Sequence, residues 1–393
     1  MTETLQRVTL VTETFAPEIN GVAHTLSQLV HGLRQRGIAI QIIRPRQTAN
    51  DLANQQDGIE TVTLPGFPIP GYRSLHFGVP FSGRIRAALT RFAPQAVYVA
   101  TEGPMGWAAV QAARQAGIRI ISGFHTNFHQ YLSHYSLSAL QTLAFRYLRY
   151  FHNLTASTLV PTRQQRDDLE TQGFHNVGVL SRGVDSERFH PRHRSSSLRQ
   201  QWGVKDDDLV LLYVGRIAAE KNLALALEAH RRLLEIDQRI RLVLVGDGPE
   251  LTSIRHHHSE VICCGIQRGE DLARHYASGD IFLFPSKTDT FGNVLTEAMA
   301  SGLAVVSFDS AAAHEHIVHG ETGMLAPLDE DATYLQRINT LIDSPHLLSK
   351  MRQQARLYAE GMGWNRIVDD FIQRLQGAME QEQAYGQYQT TAE

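Results

Sequence analysis

At 393 residues, 42% hydrophobic and 20% charged, the chain is long enough for two domains with separate cores and too apolar to stay disordered. No run approaches the ~18 unbroken apolar residues of a membrane span, and the acidic start, with Glu3 and Glu13, argues against a signal peptide. The net charge of −3 divides unevenly: residues 1–185 hold 16 arginines, no lysine and 11 acids, a balance of +5, and the remainder is −8. The positive part reads either as a field for an anionic partner or membrane surface, or as ordinary solvated charge.

Taken in chain order, short β-branched runs alternate with helical patterns twice over. Strands are predicted at 8–14, 38–45, 96–102, 118–125 and 157–162, with a helix at 22–36 whose Val22, Leu26, Leu29, Val30 and Leu33 fall at helical spacing. The polar stretch 186–200, with a proline and a serine run, reads as the junction. A second set of strands follows at 209–215, 240–246, 261–265, 280–286 and 303–309, then helices at 344–359 and 363–377 and a polar tail expected to fray. Unbroken apolar strands separated by helices indicate parallel sheets covered on both faces. The expectation is an α/β protein of two doubly wound domains facing across a cleft: 1–190, 191–362, and a C-terminal 363–393 packing back towards the first domain. Cys263 and Cys264 are adjacent and cannot form an ordinary bridge with each other, so they read as buried strand thiols of a reducing, cytoplasmic compartment.

Several motifs constrain the chemistry. The first βα turn, TETFAPEINGVAHT, lacks G-x-G-x-x-G, Gly246-Asp247-Gly248 fails that spacing, and no P-loop occurs. Dehydrogenase and P-loop readings are thereby weakened. The segment 284–302, FPSKTDTFGNVLTEAMASG, follows a strand and opens a helix. Asp289 stands before that helix and Glu297 two turns later, and the amides of Phe291, Gly292 and Asn293 lie at the positive end of its dipole. Such a site suits sugar hydroxyls, a ribose diol and phosphate; equally, Asp289 reads as a helix cap and Glu297 as an ordinary helix acid. In GRIAAEKN (215–222), Arg216 and Lys221 leave one βα loop and suit a pyrophosphate, or are two surface cations. His125 and His129 have i, i+4 spacing, but no third ligand stands nearby, so no metal site is expected. His256, His257 and His258 read as a polar helix end. The basic-aromatic stretch 139–152 reads as a core-facing helix or one resting on a bilayer interface.

Taken together, GRIAAEKN, VGDGPE, FPSKTDTFGNVLTEAMASG and HGETGMLAP, in that order, resemble the donor domain of retaining glycosyltransferases of family 4, which have the two-Rossmann GT-B architecture. TETFAPEINGVAHTL, ATEGPMGWAA, SGFHTNFHQY and SRGVDSERFHP extend the resemblance over about residues 8–375. These pieces resemble the branch of GDP-mannose-dependent α-mannosyltransferases and lipid-directed glycosyl- and sulfoquinovosyltransferases. By that resemblance, Asp289 and Glu297 match the E-x7-E pair, the first touching donor sugar and the second ribose. Arg216 and Lys221 match the diphosphate clamp, and His125 the histidine near the transferred sugar. Gly21 matches the glycine loop over the phosphates, and Gly265 and Ile266 the frame of the nucleobase. The Asp at 289 departs from the commoner Glu, and AAAHEH before Glu315 departs from a Gly-rich element.

What the resemblance implies is metal-free transfer of a hexosyl group, α-mannosyl from GDP-mannose, to a hydroxyl acceptor on a lipid, glycolipid or glycan. No cofactor beyond the nucleotide sugar, no nucleic acid and at most peripheral membrane contact are expected. The alternative is a UDP-sugar-dependent glycosyl- or sulfoquinovosyltransferase acting on diacylglycerol. From another class, a nucleotide-sugar oxidoreductase or epimerase would need the missing glycine fingerprint.

Overall fold

The computed structural model describes residues 4–16, 18, 20–47, 51, 54–56, 58–69, 72–125, 138–205, 207–287 and 292–377. The chain divides into two compact units, 1–160 with 166–180 and 365–393, and 161–165 with 181–364.

The first unit holds β1 (Arg7–Val11), β2 (Ala39–Pro45), β3 (Asn54–Gln56), β4 (Ile59–Leu64), β5 (Gly66–Ile69), β6 (Tyr72–Gly78), β7 (Ala96–Val99), β8 (Arg119–Gly123), β9 (Ser157–Val160) and β10 (Val177–Val179). Eight of them form one sheet in the order β10-β9-β8-β7-β1-β2-β4-β3, parallel except for β3 on β4, while β5 and β6 form a separate antiparallel ribbon. The strand order reverses at β1, which pairs with both β2 and β7. The apolar runs form strands because both faces are covered: Ala96, Val97, Tyr98 and Val99 of β7 are all buried.

In the second unit, β11 (Leu209–Val214), β12 (Ile240–Val245), β13 (Ile262–Gly265), β14 (Ile281–Phe284), β15 (Ala304–Phe308) and β16 (Gly323–Ala326) form a wholly parallel sheet in the order β13-β12-β11-β14-β15-β16. Leu211 and Tyr213 of β11 belong to the core on one face, and Val210, Leu212 and Val214 to the core on the other, as the two-residue period of a strand requires. Both sheets are Rossmann-like, with a switch point, β1/β7 and β11/β14, beyond whose carboxyl ends ligands bind in such folds.

The predicted strands are present at the positions expected. The structure adds β3–β6 and β10 in the first unit and β16 in the second; these are short, polar or glycine-containing and give no continuous apolar signal. The change of unit also falls at 180/181 and not at 190/191. Val184 bridges to Gly363, its amide donating to Met362 O at 3.0 Å, and the Phe189 ring packs edge-on against Tyr276 at 5.5 Å. Two apolar residues in a polar-looking stretch thus belong to the second core. Arg194 and Arg199, from the same polar stretch, converge on Asp280. That buried carboxylate accepts from Arg194 (2.9 Å), Arg352 (3.1 Å), Arg199 (3.2 Å) and the amide of Val210 (2.9 Å), at the amino-terminal edge of the sheet.

At the C-terminus, the helix Trp364–Gln376 buries Ile367, Val368, Phe371 and Leu375, and from Asn365 it belongs to the first unit. Phe371 meets Tyr98 edge-on at 4.9 Å. A Cβ on Gly32 would lie 2.4 Å from Val368 Cγ2, so only glycine there admits the helix. The tail beyond 377 lies outside the described residues. Cys263 and Cys264 are free thiols in β13 but half-buried, not sealed in the core; burial pushes the Cys264 thiol up to about 11. The helix Ser138–His152 buries Leu148, Phe151 and His152 and exposes Leu143 and Tyr150. Among the described residues no helix is long and apolar enough to cross a membrane.

Candidate active site

The carboxyl edge of the second sheet is spliced together through its backbone. Gly215 N donates to Val245 O at 3.0 Å, Gly246 N to Gly265 O at 2.9 Å, Ile217 N to Asp247 O at 2.9 Å and Glu250 N to Ile217 O at 3.1 Å. These bonds join the loops after β11, β12 and β13. The approach is so close that a Cβ on Gly246 would fall 1.9 Å from Gly215 O, and one on Gly248 2.2 Å from Ile217 O. The glycines of GRIAAEKN and VGDGPE therefore shape this edge by letting main chains touch.

Arg216 and Lys221 leave the loop after β11. Arg216 Nη1 pairs with Glu220 at 2.9 Å on the surface, an exposed pair worth at most ~1 kcal/mol that an arriving anion can displace. Tyr213 Oη donates to Arg216 O at 2.9 Å and fixes the backbone from which the guanidinium springs. Lys221 ends a single 3-10 turn, and Asn222, in the left-handed region at φ 54°, starts the helix Leu223–Leu234. Asn222 Nδ2 donates to Pro285 O at 3.3 Å, which ties this loop to the one after β14. β11 and β14 are neighbours, so the cation loop and the acidic helix open side by side at the switch point.

The helix Asn293–Ala300 carries Glu297. Gly292 caps it in the left-handed region, φ 54°, and a Cβ there would stand 2.5 Å from Ala312 Cβ, which accounts for the glycine on two grounds. Leu295 N donates back to Gly292 O at 2.8 Å, whereas the amides of Asn293 and Val294 lack intrahelical acceptors by geometry and lie at the positive end of the dipole. Asn293 Oδ1 accepts from the buried Arg182 at 3.2 Å. Half-buried Glu297 accepts through Oε2 from Tyr276 Oη at 2.9 Å. Burial pushes its carboxyl up to about 7, while the phenol and the charge of Arg188 pull it down. Gly265 closes β13 at φ 68°, and Ile266 beyond it is exposed, an apolar side chain left for a flat ligand. Asp289 and Phe291 lie outside the described residues.

Glu315 accepts from the Arg163 amide at 2.9 Å and pairs with its guanidinium at 3.4 Å. Where relatives are expected to have glycine, Ala311 adopts φ 47°. Lys287 pairs with Asp329 (3.0 Å) and Asp331 (3.3 Å).

His125 and Gly21 belong to the first unit. His125 follows β8, is buried, and shares a 2.7 Å hydrogen bond between Nε2 and Tyr98 Oη. A Cβ on Gly123 would lie 2.2 Å from that phenol oxygen and 2.4 Å from Nε2, so Gly123 makes room for the pair. Gly21 opens the helix Gly21–Gln35, capped by Asn20 Oδ1 accepting from Ala23 N at 2.8 Å. Asn20 Nδ2 in turn donates to Thr14 Oγ1 at 2.7 Å. Glu13, just past β1, is buried with Oε1 accepting from Gly78 N (3.2 Å) and Met105 N (3.3 Å), and burial pushes its carboxyl up to about 7. Ser122, His152 and Glu102 form a chain at 2.8 and 3.3 Å that resembles a nucleophile relay. Ser122 and His152 are wholly buried, so it is a strut inside the unit.

His129 lies outside the described residues, and among those described no group of three His, Cys, Asp or Glu gathers as a metal requires. His257 bonds the Ser253 carbonyl at 2.9 Å at a helix end. Sequence reasoning missed Tyr98, Tyr213, Tyr276 and Glu13. Its one signal for the tyrosines was a polar-tipped ring within an apolar run, which must find a partner when buried.

Comparison with known proteins agrees with this layout. Residues 19–188 match the family model "Glycosyltransferase Family 4", and residues 195–358 match "Glycosyl transferases group 1". The GDP-mannose-dependent alpha-mannosyltransferase of Mycobacterium tuberculosis is 30% identical over 370 residues, 93% of this chain and 95% of that one. Sulfoquinovosyl transferase SQD2 of Arabidopsis thaliana is 28% identical, over 88% of this chain and 68% of that one. Among solved structures, sucrose-phosphate synthase from Thermosynechococcus elongatus superposes with a TM-score of 0.76 at 17% identity, covering 94% of this chain and 98% of that one.

Proposed function

The chain belongs to the glycosyltransferases of family 4 and is a hexosyltransferase of the GT-B fold; on that premise we propose that it moves an α-mannosyl group from GDP-mannose to a hydroxyl acceptor, with retention of configuration. The observation that carries this reading is the convergence at one switch point of a two-cation loop, a helix N-terminus and a half-buried carboxylate, locked together by Asn222 and the glycine splice.

The mechanism follows from charge. Breaking the anomeric C–O bond leaves an oxocarbenium-like sugar and an anionic nucleoside diphosphate. Arg216 and Lys221, with the first-turn amides of the Gly292–Asn293 helix start, stabilise the leaving oxygens as charge develops on them. Glu297 takes the ribose diol, Asp289 the sugar hydroxyls, and Ile266 and Gly265 frame the base. Retention places the acceptor hydroxyl on the face the phosphate leaves, so that a phosphate oxygen takes its proton. These cations supply the Lewis-acid role, and no metal or further cofactor is required. The acceptor belongs to a lipid, glycolipid or glycan; a lipid-borne acceptor would bring the protein peripherally to the cytoplasmic face of a membrane.

The test is transfer from GDP-mannose, and from UDP-glucose and UDP-sulfoquinovose in parallel, to diacylglycerol and glycolipid acceptors. Lys221→Ala is expected to lower kcat about 10²–10³-fold with the melting temperature unchanged, and excess EDTA to leave the wild-type rate intact. Wild-type turnover by the variant sinks the site assignment, and activity restored only by a divalent ion sinks the metal-free mechanism.

A further inference from the structure

We propose that Tyr276 is a positioning residue for the donor: its buried phenol aims the Glu297 carboxylate at the ribose diol of the nucleoside diphosphate. The inference rests on reading this edge as a nucleotide-sugar site.

Tyr276 comes from the helix Gly269–Ala277, Glu297 from the helix Asn293–Ala300, and their 2.9 Å bond is the polar contact between these two elements at the site. The ring is fully buried, edge-on to Phe189 at 5.5 Å and against Phe282 at 5.9 Å, so it cannot swing away. A buried phenol O–H requires an acceptor, and here Oε2 is that acceptor. The described residues give Oε1 no hydrogen bond, which leaves it for a ligand hydroxyl. The phenol thereby holds one oxygen of the carboxylate and leaves the other to a ligand.

Electrostatics act in the same direction. Among the described residues, the titratable and charged groups facing Glu297 are Tyr276, Arg188 from the 181–190 segment and, behind Tyr276, Tyr213 of β11. Burial favours the protonated acid; Tyr276 and Arg188 oppose it. Without the phenol the carboxyl retains its proton to higher pH, and a protonated acid is a poorer acceptor for two hydroxyls. Donor affinity therefore rises with pH through the neutral range, and Tyr276 sets where that rise begins.

The test is isothermal titration of GDP and UDP, and of inorganic pyrophosphate, into wild type and Tyr276→Phe between pH 6 and 8.5. Phenylalanine keeps the ring volume, and the melting temperature checks the fold. For the nucleotide that wild type binds more tightly, the variant is expected to bind about tenfold more weakly at pH 7. Its pH midpoint should move up, while pyrophosphate, which lacks ribose, binds both proteins alike. In turnover, donor KM should rise with kcat nearly unchanged. Identical nucleotide profiles for the two proteins overturn the inference alone. Equal weakening for pyrophosphate also overturns it, because the tyrosine then acts on the fold and not on the ribose contact. Failure of wild type to bind either nucleotide overturns the reading of the site, and the inference with it.

Discussion

The two units share a strand order up to their edges yet differ in what reinforces the loops at their carboxyl edges. In the second unit, the loops after β11, β12 and β13 are joined main chain to main chain through Gly215, Gly246 and Gly265. The first has main-chain bonds of this kind too, Thr12 N to Ile43 O at 3.0 Å and Ala100 N to Val11 O at 2.8 Å, and adds side chains to them. Glu13 clasps the end of β6 to the helix Pro104–Gln115, its own amide bonds Thr101 Oγ1 at 2.9 Å, and Asn20 and Thr14 brace the turn after β1. A main-chain splice has no rotamers, which suits the edge proposed above to hold cations around a diphosphate.

Three substitutions would break or sharpen this contrast. Gly246→Ala should have the largest effect. The new methyl cannot fit 1.9 Å from Gly215 O, and φ 142° is unfavourable to any side chain, so a loss of roughly 3 kcal/mol or more is expected in denaturant unfolding of that unit, together with nucleotide binding. A mild phenotype would show that the splice yields easily.

Glu13→Gln should do the opposite in the first unit. In the folded chain burial lets the carboxyl hold its proton to about pH 7, against 4.5 for an ordinary glutamic acid. Between those values unfolding releases a proton, so stability falls as pH rises and the penalty saturates above about 7. Glutamine keeps an acceptor oxygen for Gly78 and Met105 without the charge. It should therefore raise the melting temperature by about 2–4 °C at pH 8.5 and change little at pH 5.5. A gain independent of pH would contradict the buried-charge account.

The smallest effect is expected of Ala311→Gly. Alanine at φ 47° bears a left-handed strain of about 1–2 kcal/mol, partly offset by the greater unfolded-state freedom of glycine. A net gain of about 0.5–1 kcal/mol in chemical denaturation follows; a net loss would mean that the methyl packs favourably.

The contrast also explains what could be read in advance. The closest main-chain approaches require glycine, and Gly215, Gly246, Gly248 and Gly292 are visible as motifs, so the loops of the second unit fall on the expected strands. Side-chain clasps leave no such spacing. Glu13 looked like one acid in an acidic start, and Tyr98 and Tyr276 like apolar filling, because each partner lies 21 to 92 residues away in sequence. β16, with the sequence GMLA, is a strand because β15 supplies its ladder and not because of its own propensity. The second compact unit takes in residues ahead of the expected junction for a related reason: Val184 and Phe189 are two apolar residues among polar ones, and their burial depends on Gly363 and Tyr276, far along the chain.

Asp280 gathers three guanidiniums and a strand amide at the amino-terminal edge of the second sheet, the end away from Arg216, Lys221 and Glu297. Cohesion and chemistry are thus lodged at opposite ends of the same strands. Three of the arginines that moderate the acidity of this half are occupied there, so its ligand edge is poorer in positive charge than the overall balance suggests. The loops at that edge can drift in sequence while the other end holds the sheet together. A change of donor sugar then requires new loops, not a new fold.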